Sequence, residues 1–144
     1  MPICLGSDHA GFDLKEHVKE FLKTLGHEFI DVGCYSTDSV DYPEFARKVA
    51  LSVASGECEK GILVCGTGLG MSMAANRVPG IRAALCYGVL TARLSRQHNN
   101  SNLLCLGGRM IGPTMAEEII KTWLTTEFEG GRHENRIKQI DMTD

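Results

Sequence analysis

A thiol placed directly before a run of glycines is the arrangement in this chain best able to do chemistry. Residues 61–70 read GILVCGTGLG. The apolar run Ile62, Leu63, Val64 has the character of a strand buried on both faces, and it ends at Cys65. Gly66, Gly68 and Gly70 let the backbone turn sharply and approach a ligand closely. Residues 71–76 then read as the start of a helix, whose free N–H groups favour an anion. A thiol between a buried strand and such a turn can act as a base or a nucleophile. Most strand cysteines are inert packing, but few stand at a strand-to-glycine junction.

Ligands of parallel sheets bind beyond the C-terminal ends of the strands. The residues that follow each strand therefore locate a pocket. The first strand leads into Asp8 and His9, the second through a loop to Asp41 and Tyr42, the third into Cys65, Gly66 and Thr67, and the fifth into Gly107, Gly108 and Arg109. A carboxylate, an imidazole, a phenol, a thiol, a hydroxyl and a guanidinium can converge there. Taken singly, Asp8 could merely cap a helix and Tyr42 could merely pack on one. Their convergence on one edge favours a pocket. A second signal lies near the C-terminus, where Arg132 and Arg136 are four residues apart and share a helix face. Like charges at that spacing cost a helix a little. A bound dianion such as phosphate would reverse the cost, and arginine forks fit its oxygens. A solvated basic patch, partly paired with Glu129 or Glu134, is the plainer explanation for such a pair.

The elements that must position these residues alternate between strand and helix. Strands are expected at 3–7, 28–32, 62–65, 81–86 and 103–106. Leu14, Val18, Phe21, Leu22 and Leu25 recur at helical spacing before a stop at Gly26. Pro43 opens a second helix with Phe45, Val49 and Val53 inward and Gly56 at its end. Further helices cover 89–97, then a stretch opened by Pro113 with Met115, Ile119, Ile120, Trp123 and Leu124 inward, then 131–140. Repeated βα units with short connections give an α/β fold: five parallel strands with helices on both faces.

The chain has 144 residues, enough for one domain with a real core, and no linker, repeat or low-complexity segment divides it. With 43% hydrophobic and 23% charged residues it is of ordinary globular composition. A net charge of −3 argues against a general nucleic-acid binder. No apolar run reaches membrane-span length, and no basic-then-apolar leader opens the chain, so a cytoplasmic location is expected. Cys4, Cys65, Cys86 and Cys105 lie in separate strand-like runs, which suits reduced, buried thiols better than a disulfide framework. No CxxC or Cys/His spacing suggests zinc, and no metal or cofactor is expected.

Five segments together resemble the ribose-5-phosphate isomerase B family, the RpiB/LacAB sugar-phosphate isomerases. They are GSDHAGFDLK at 6–15, DYPEFA at 41–46, GILVCGTGLGMSMAANRVPGIRAA at 61–84, LSRQHNNSN at 94–102 and EGGRHENRI at 129–137. The resemblance spans nearly the whole chain and implies one isomerase domain over 1–144, built as a Rossmann-like three-layer sandwich around a five-stranded parallel sheet. It implies a metal-free enzyme of dimers, in some members tetramers, with the C-terminal helix packing on the partner subunit. The implied reaction interconverts an aldose phosphate and a ketose phosphate through a cis-enediolate.

That reaction needs a base for the carbon-bound proton, donors for a developing oxyanion and an acid to open the sugar ring. The resemblance assigns the base to Cys65. Some relatives carry a carboxylate base one residue after the glycine turn, and here that position is Met71, which cannot serve. Thr67 and the turn Gly66, Gly68, Leu69 and Gly70 match the oxyanion and substrate loop. His98 matches the ring-opening acid, with Asn99 beside it on the substrate. Asp8 matches a carboxylate that holds sugar hydroxyls, Tyr42 a pocket wall, and His9, Arg109, Arg132 and Arg136 the phosphate site.

His98 and Asn99 follow a helix and precede the fifth strand, so they belong at the sheet edge opposite Cys65. A homodimer with shared sites would reunite them; a His98 that only caps a helix C-terminus is the bland alternative. Ribose 5-phosphate is the leading substrate expectation. A six-carbon phosphate such as allose 6-phosphate or galactose 6-phosphate stands beside it. A non-catalytic phosphate- or nucleotide-binding module is a third reading, and it would need neither Cys65 nor His98.

Overall fold

The computed structural model describes residues 1–142. Its elements, in chain order, are β1 (Ile3–Ser7), α1 (Phe12–Thr24), β2 (Phe29–Asp31), α2 (Tyr42–Ala54), β3 (Lys60–Cys65), α3 (Leu69–Ala75), β4 (Ala83–Leu85), α4 (Val89–Gln97), β5 (Leu103–Gly107), α5 (Pro113–Thr125) and α6 (Arg132–Asp141). The strands form one parallel sheet in the order β2-β1-β3-β5-β4. This is the expected three-layer α/β sandwich.

Strand side chains alternate between the faces, and the two cores follow that period of two. Leu5, Ile62, Val64, Leu104 and Leu106 pack with Leu14, Val18 and Leu22 of α1 and Ile119, Ile120 and Trp123 of α5. Cys4, Leu63, Cys65, Leu103 and Cys105 face the other way, against Phe45, Val49 and Val53 of α2 and Met71 and Ala75 of α3. Trp123 is completely buried, and its indole N–H donates to Ser101 Oγ at 2.8 Å. Truncating such a side chain costs about 3–5 kcal/mol.

Some boundaries differ from expectation. β4 is only three residues long, because the Ile81 N–H closes a turn on Val78 O and the Arg82 N–H goes to the Asn102 side chain. Met115 is exposed rather than inward. The buried stripe of α5 is Ala116, Ile119, Ile120 and Trp123, and Met115 lies about 90° round the helix from its centre.

The segment after β2 is pinned by charge. Lys15, wholly buried, donates to Asp31 Oδ2 at 2.6 Å, Lys19 donates to the same oxygen at 2.9 Å, and the Gly33 N–H holds Oδ1 at 2.9 Å. Burial alone would raise the Asp31 carboxyl. The hydrogen bonds from Lys15, Lys19 and Gly33 outweigh it and hold the group below the usual carboxylate range. No helix among the described residues is long and apolar enough to cross a membrane.

Candidate active site

The loops after β1, β3 and β5 meet at one edge of the sheet, stitched together through their backbones. The Gly108 N–H donates to Cys65 O at 2.8 Å, the Arg109 N–H to Gly66 O at 2.9 Å, and the Asp8 N–H to Val64 O at 3.2 Å. They enclose an open cavity of about 310 Å³ walled by Asp8, His9, Tyr42, Cys65, Gly66, Thr67, Gly70 and Arg109. Two clefts are larger, one of about 410 Å³ over Pro43, Arg47 and Leu51 and one of about 360 Å³ between Asn76, Arg82, Asn99 and Ile140. Neither offers a thiol or an imidazole, so chemistry favours the Cys65 cavity.

Each wall residue has a defined state. Cys65 is the last residue of β3, and its Sγ accepts the Gly68 N–H at 3.0 Å. A backbone donor aimed at sulfur favours the thiolate. Gly68 can present that N–H because it sits in the left-handed region, φ +84°, where a side chain would be strained. Thr67 Oγ1 accepts the Leu69 N–H at 3.2 Å. The amides of Gly66 and Thr67 donate to no described residue and remain available to an oxyanion. Asp8 is buried; its Oδ1 accepts the Gly11 N–H at 2.9 Å. His9 Nδ1 accepts the Val40 N–H at 3.2 Å, so the neutral ring carries its proton on Nε2. Tyr42 opens α2 and lays its ring over Gly70, where any Cβ would run into it.

Burial, with Cys58 beside it, pushes Cys4 up to about 12. Burial also raises Cys58, Cys86 and Cys105 above the ordinary thiol range, Cys105 strongly. All six cysteines are unpaired.

His98, Asn99, Arg132 and Arg136 are not in this cavity. Gly61 pairs with Leu103 at the N-terminal edge of the sheet, and Cys65 pairs with Gly107 at the C-terminal edge. About 13 Å of strand separates those edges. His98 caps α4 and stacks on His133 of α6, with ring centroids 4.4 Å apart and planes at 13°. Glu129 Oε1 lies 3.7 Å from His98 Nε2 and 3.6 Å from His133 Nε2. Burial, then repulsion from His98 and Arg132, holds His133 below the usual imidazole range. The three side chains offer ligand atoms within 4.8 Å of one another. Near-parallel rings, however, aim their in-plane lone pairs alongside each other rather than at a common point, which does not suit a tetrahedral metal. Arg132 and Arg136 flank His133 on α6, both exposed, and neither pairs with a carboxylate among the described residues. Neither Glu129 nor Glu134 pairs with these arginines, so the salt-bridge explanation does not hold. Asn99 is exposed, and its carbonyl accepts from Arg82 Nε at 3.0 Å.

Three contributors were not anticipated from the sequence. Tyr87, two residues past β4, donates its hydroxyl to Thr67 O at 2.6 Å. The strand-end rule, applied to the fourth strand as to the others, points at it. Glu129 and His133 beside His98 have no signal of their own in one sequence, since only tertiary packing brings α6 against the end of α4.

A thiol, two free amides and a carboxylate at one edge of a parallel α/β sheet can support proton transfer beside a developing oxyanion. Comparison with known proteins agrees. The sequence model of the Ribose/Galactose Isomerase family matches residues 3–140. The chain is 48% identical over 138 residues to ribose-5-phosphate isomerase B of Escherichia coli (strain K12), covering 96% of this chain and 93% of that one. It superposes on Clostridium thermocellum ribose-5-phosphate isomerase B with a TM-score of 0.97, at 54% identity and covering 98% and 95% of the two chains. It superposes on the Mycoplasma genitalium ribose-5-phosphate isomerase B with bound ribulose-5-phosphate with a TM-score of 0.93, at 44% identity and covering 97% and 93%. The chain belongs to the ribose/galactose isomerase family and is an isomerase.

Proposed function

We propose that this enzyme interconverts ribose 5-phosphate and ribulose 5-phosphate. The observation that carries the reading is the Gly68 N–H on Cys65 Sγ at 3.0 Å, beside two undonated amides in a cavity of about 310 Å³. The Escherichia coli relative named for this activity and the Mycoplasma genitalium structure with bound ribulose-5-phosphate support the substrate.

In the proposed mechanism the Cys65 thiolate takes the proton from C2 of the open aldose. The electron pair of that C–H bond forms the C1–C2 double bond, and the carbonyl oxygen becomes the second enediolate oxygen. The Gly66 and Thr67 amides and the Thr67 hydroxyl stabilise that charge. The hydroxyl proton on O2 then passes to O1, the O2 electron pair closes the carbonyl at C2, and the thiol returns its proton to C1, leaving a hydroxyl there. Before this, the cyclic sugar must open: the C1 hydroxyl gives its proton to water and becomes the aldehyde carbonyl, the bond from C1 to the ring oxygen breaks, and His98 gives that oxygen its proton. Asp8 holds sugar hydroxyls, Asn99 binds substrate beside His98, and Tyr42 lines the pocket with Gly68, Leu69 and Gly70. His9, Arg109, Arg132 and Arg136 bind the phosphate. Because His98 and Cys65 sit at opposite sheet edges, the working unit in this proposal is a homodimer whose sites take residues from both subunits, with α6 at the junction.

The open cavity and a family description that includes galactose keep one further substrate class in play, the six-carbon sugar phosphates. A coupled assay across pentose and hexose phosphates, with EDTA present, separates the two by kcat/KM. In the same assay Cys65→Ala should lose about 10²–10⁴-fold or more in turnover, and substrate should protect the wild-type thiol from alkylation. Near-wild-type turnover in Cys65→Ala would remove the thiol from the mechanism.

A further inference from the structure

Tyr87 reaches the site from the end of β4, and its contact falls on one particular peptide. The Tyr87 hydroxyl donates to Thr67 O at 2.6 Å. The N–H of the same peptide unit, that of Gly68, donates to Cys65 Sγ at 3.0 Å. The only cis bond among the described residues is Gly33-Cys34, so the Thr67-Gly68 peptide is trans. In a trans peptide the C=O and N–H point in opposite directions. A grip on the oxygen therefore fixes the direction of the N–H. A hydrogen bond accepted by the carbonyl also polarises the amide and strengthens its N–H as a donor. The three groups form a chain: phenol to carbonyl, amide to sulfur.

We propose that Tyr87 is a positioning residue for the reaction: through the Thr67-Gly68 peptide it aims and strengthens the hydrogen bond that favours the Cys65 thiolate. Tyr87 does not line the Cys65 cavity and touches no reacting atom. Its ring is about one-third exposed, so the hydroxyl is free to adopt the contact but is not walled in by a core. The other titratable or charged groups around the Cys65 cavity are Asp8 and His9 after β1, Tyr42 at the start of α2, Arg109 after β5 and the buried Cys105 on β5. The residues of α3 carry no charge. None of those groups bonds to the Thr67-Gly68 peptide, so the Tyr87 contribution is separable from theirs.

The effect on turnover rests on Cys65 being the base; the effect on the thiol itself does not. The test is Tyr87→Phe, which keeps the ring and deletes only the hydroxyl. The rate of iodoacetamide alkylation at Cys65, followed by mass spectrometry of its peptide, is measured across pH in both proteins. Loss of the chain should move the alkylation profile to higher pH, slowing alkylation about 3- to 10-fold at a fixed pH on its rising limb. The kcat should fall by a similar factor while KM changes little, and the acid limb of the activity profile should move the same way. Superimposable alkylation profiles would overturn the proposal, whatever happens to activity. A shifted alkylation profile with unchanged turnover would overturn Tyr87 as a positioning residue for the reaction, and Cys65→Ala then decides separately whether the thiol is the base.

Discussion

The separation of Cys65 from His98 makes a quantitative prediction about mixed subunits. The two lie at opposite edges of the sheet, with about 13 Å of β3 between them. Neither side chain can shorten that gap, because Cys65 ends a buried strand and His98 is stacked on His133 at 4.4 Å. In the proposed mechanism, each complete site then draws its base from one subunit and its ring-opening acid from another. Cys65→Ala and His98→Asn should each be severely impaired on cyclic substrate. When the two are co-refolded in equal amounts, random pairing makes about half of the dimers mixed. One site of each mixed dimer carries both lesions, and the other has an intact Cys65 and an intact His98. Recovered activity should thus approach about one quarter of wild type, from two parents that have almost none. The coupled isomerase assay reads the activity, and native mass spectrometry with a mass-labelled parent reads the exchange. Proven exchange without recovery would refute the shared-site reasoning, since a site built within one chain keeps its lesion in every pairing.

Two further outcomes follow from the geometry. Arg132→Ala and Arg136→Ala should each weaken phosphorylated substrate by about 1.5–3 kcal/mol, read as a raised KM with a smaller change in kcat, and Lys should restore only part of it because the fork is lost; an unchanged KM in both would remove them from the phosphate site. Lys15→Met should cost about 1–3 kcal/mol in urea unfolding at pH 7, since Lys19 still pairs with Asp31. The Asp31 carboxyl is held below its ordinary range, so the stabilisation it brings is present above the unfolded value of about 3.9 and is lost as pH falls through the lower folded value. The difference between wild type and Lys15→Met should accordingly shrink toward acid pH; a gap that stays constant would mean that the pair is not its source.

Strands and helices were legible in the sequence because their periods are strict. The alternation of Leu5 and Cys4, or of Val64 and Leu63, sends neighbours to different cores. The wall of the cavity was legible too, because Asp8, Tyr42, Cys65 and Arg109 each follow a strand or open the next element. Met115 was misread because its spacing to Ile119 fits a helix stripe while the stripe itself is centred elsewhere. The contacts of His98 were illegible for a different reason. Glu129 and His133 are more than thirty residues away in sequence, and no periodicity encodes how α6 folds back across the end of α4. The same holds for the Tyr87 hydroxyl, whose partner is a backbone oxygen twenty residues earlier.

The strand order has a consequence for when the enzyme can work at all. β3 lies at the centre of the sheet with β1 on one side and β5 on the other, so the loops after all three strands crowd together and build half a site without help. Cys65, the two free amides and Asp8 are thus fixed within one chain. His98 and the backbone of α6 are held at the opposite edge by the His98–His133 stack and by Arg82, whose Nη1 donates to both carboxylate oxygens of Asp141 at 3.0 and 2.8 Å. Each half is rigid and neither can travel to the other. Catalysis on cyclic substrate therefore belongs to the proposed assembly rather than to the fold. Dilution below the subunit affinity should abolish turnover while the sheet, and with it the alkylation of Cys65, stays intact. A dilute, demonstrably monomeric enzyme that still turned over cyclic ribose 5-phosphate would break this argument at its first step.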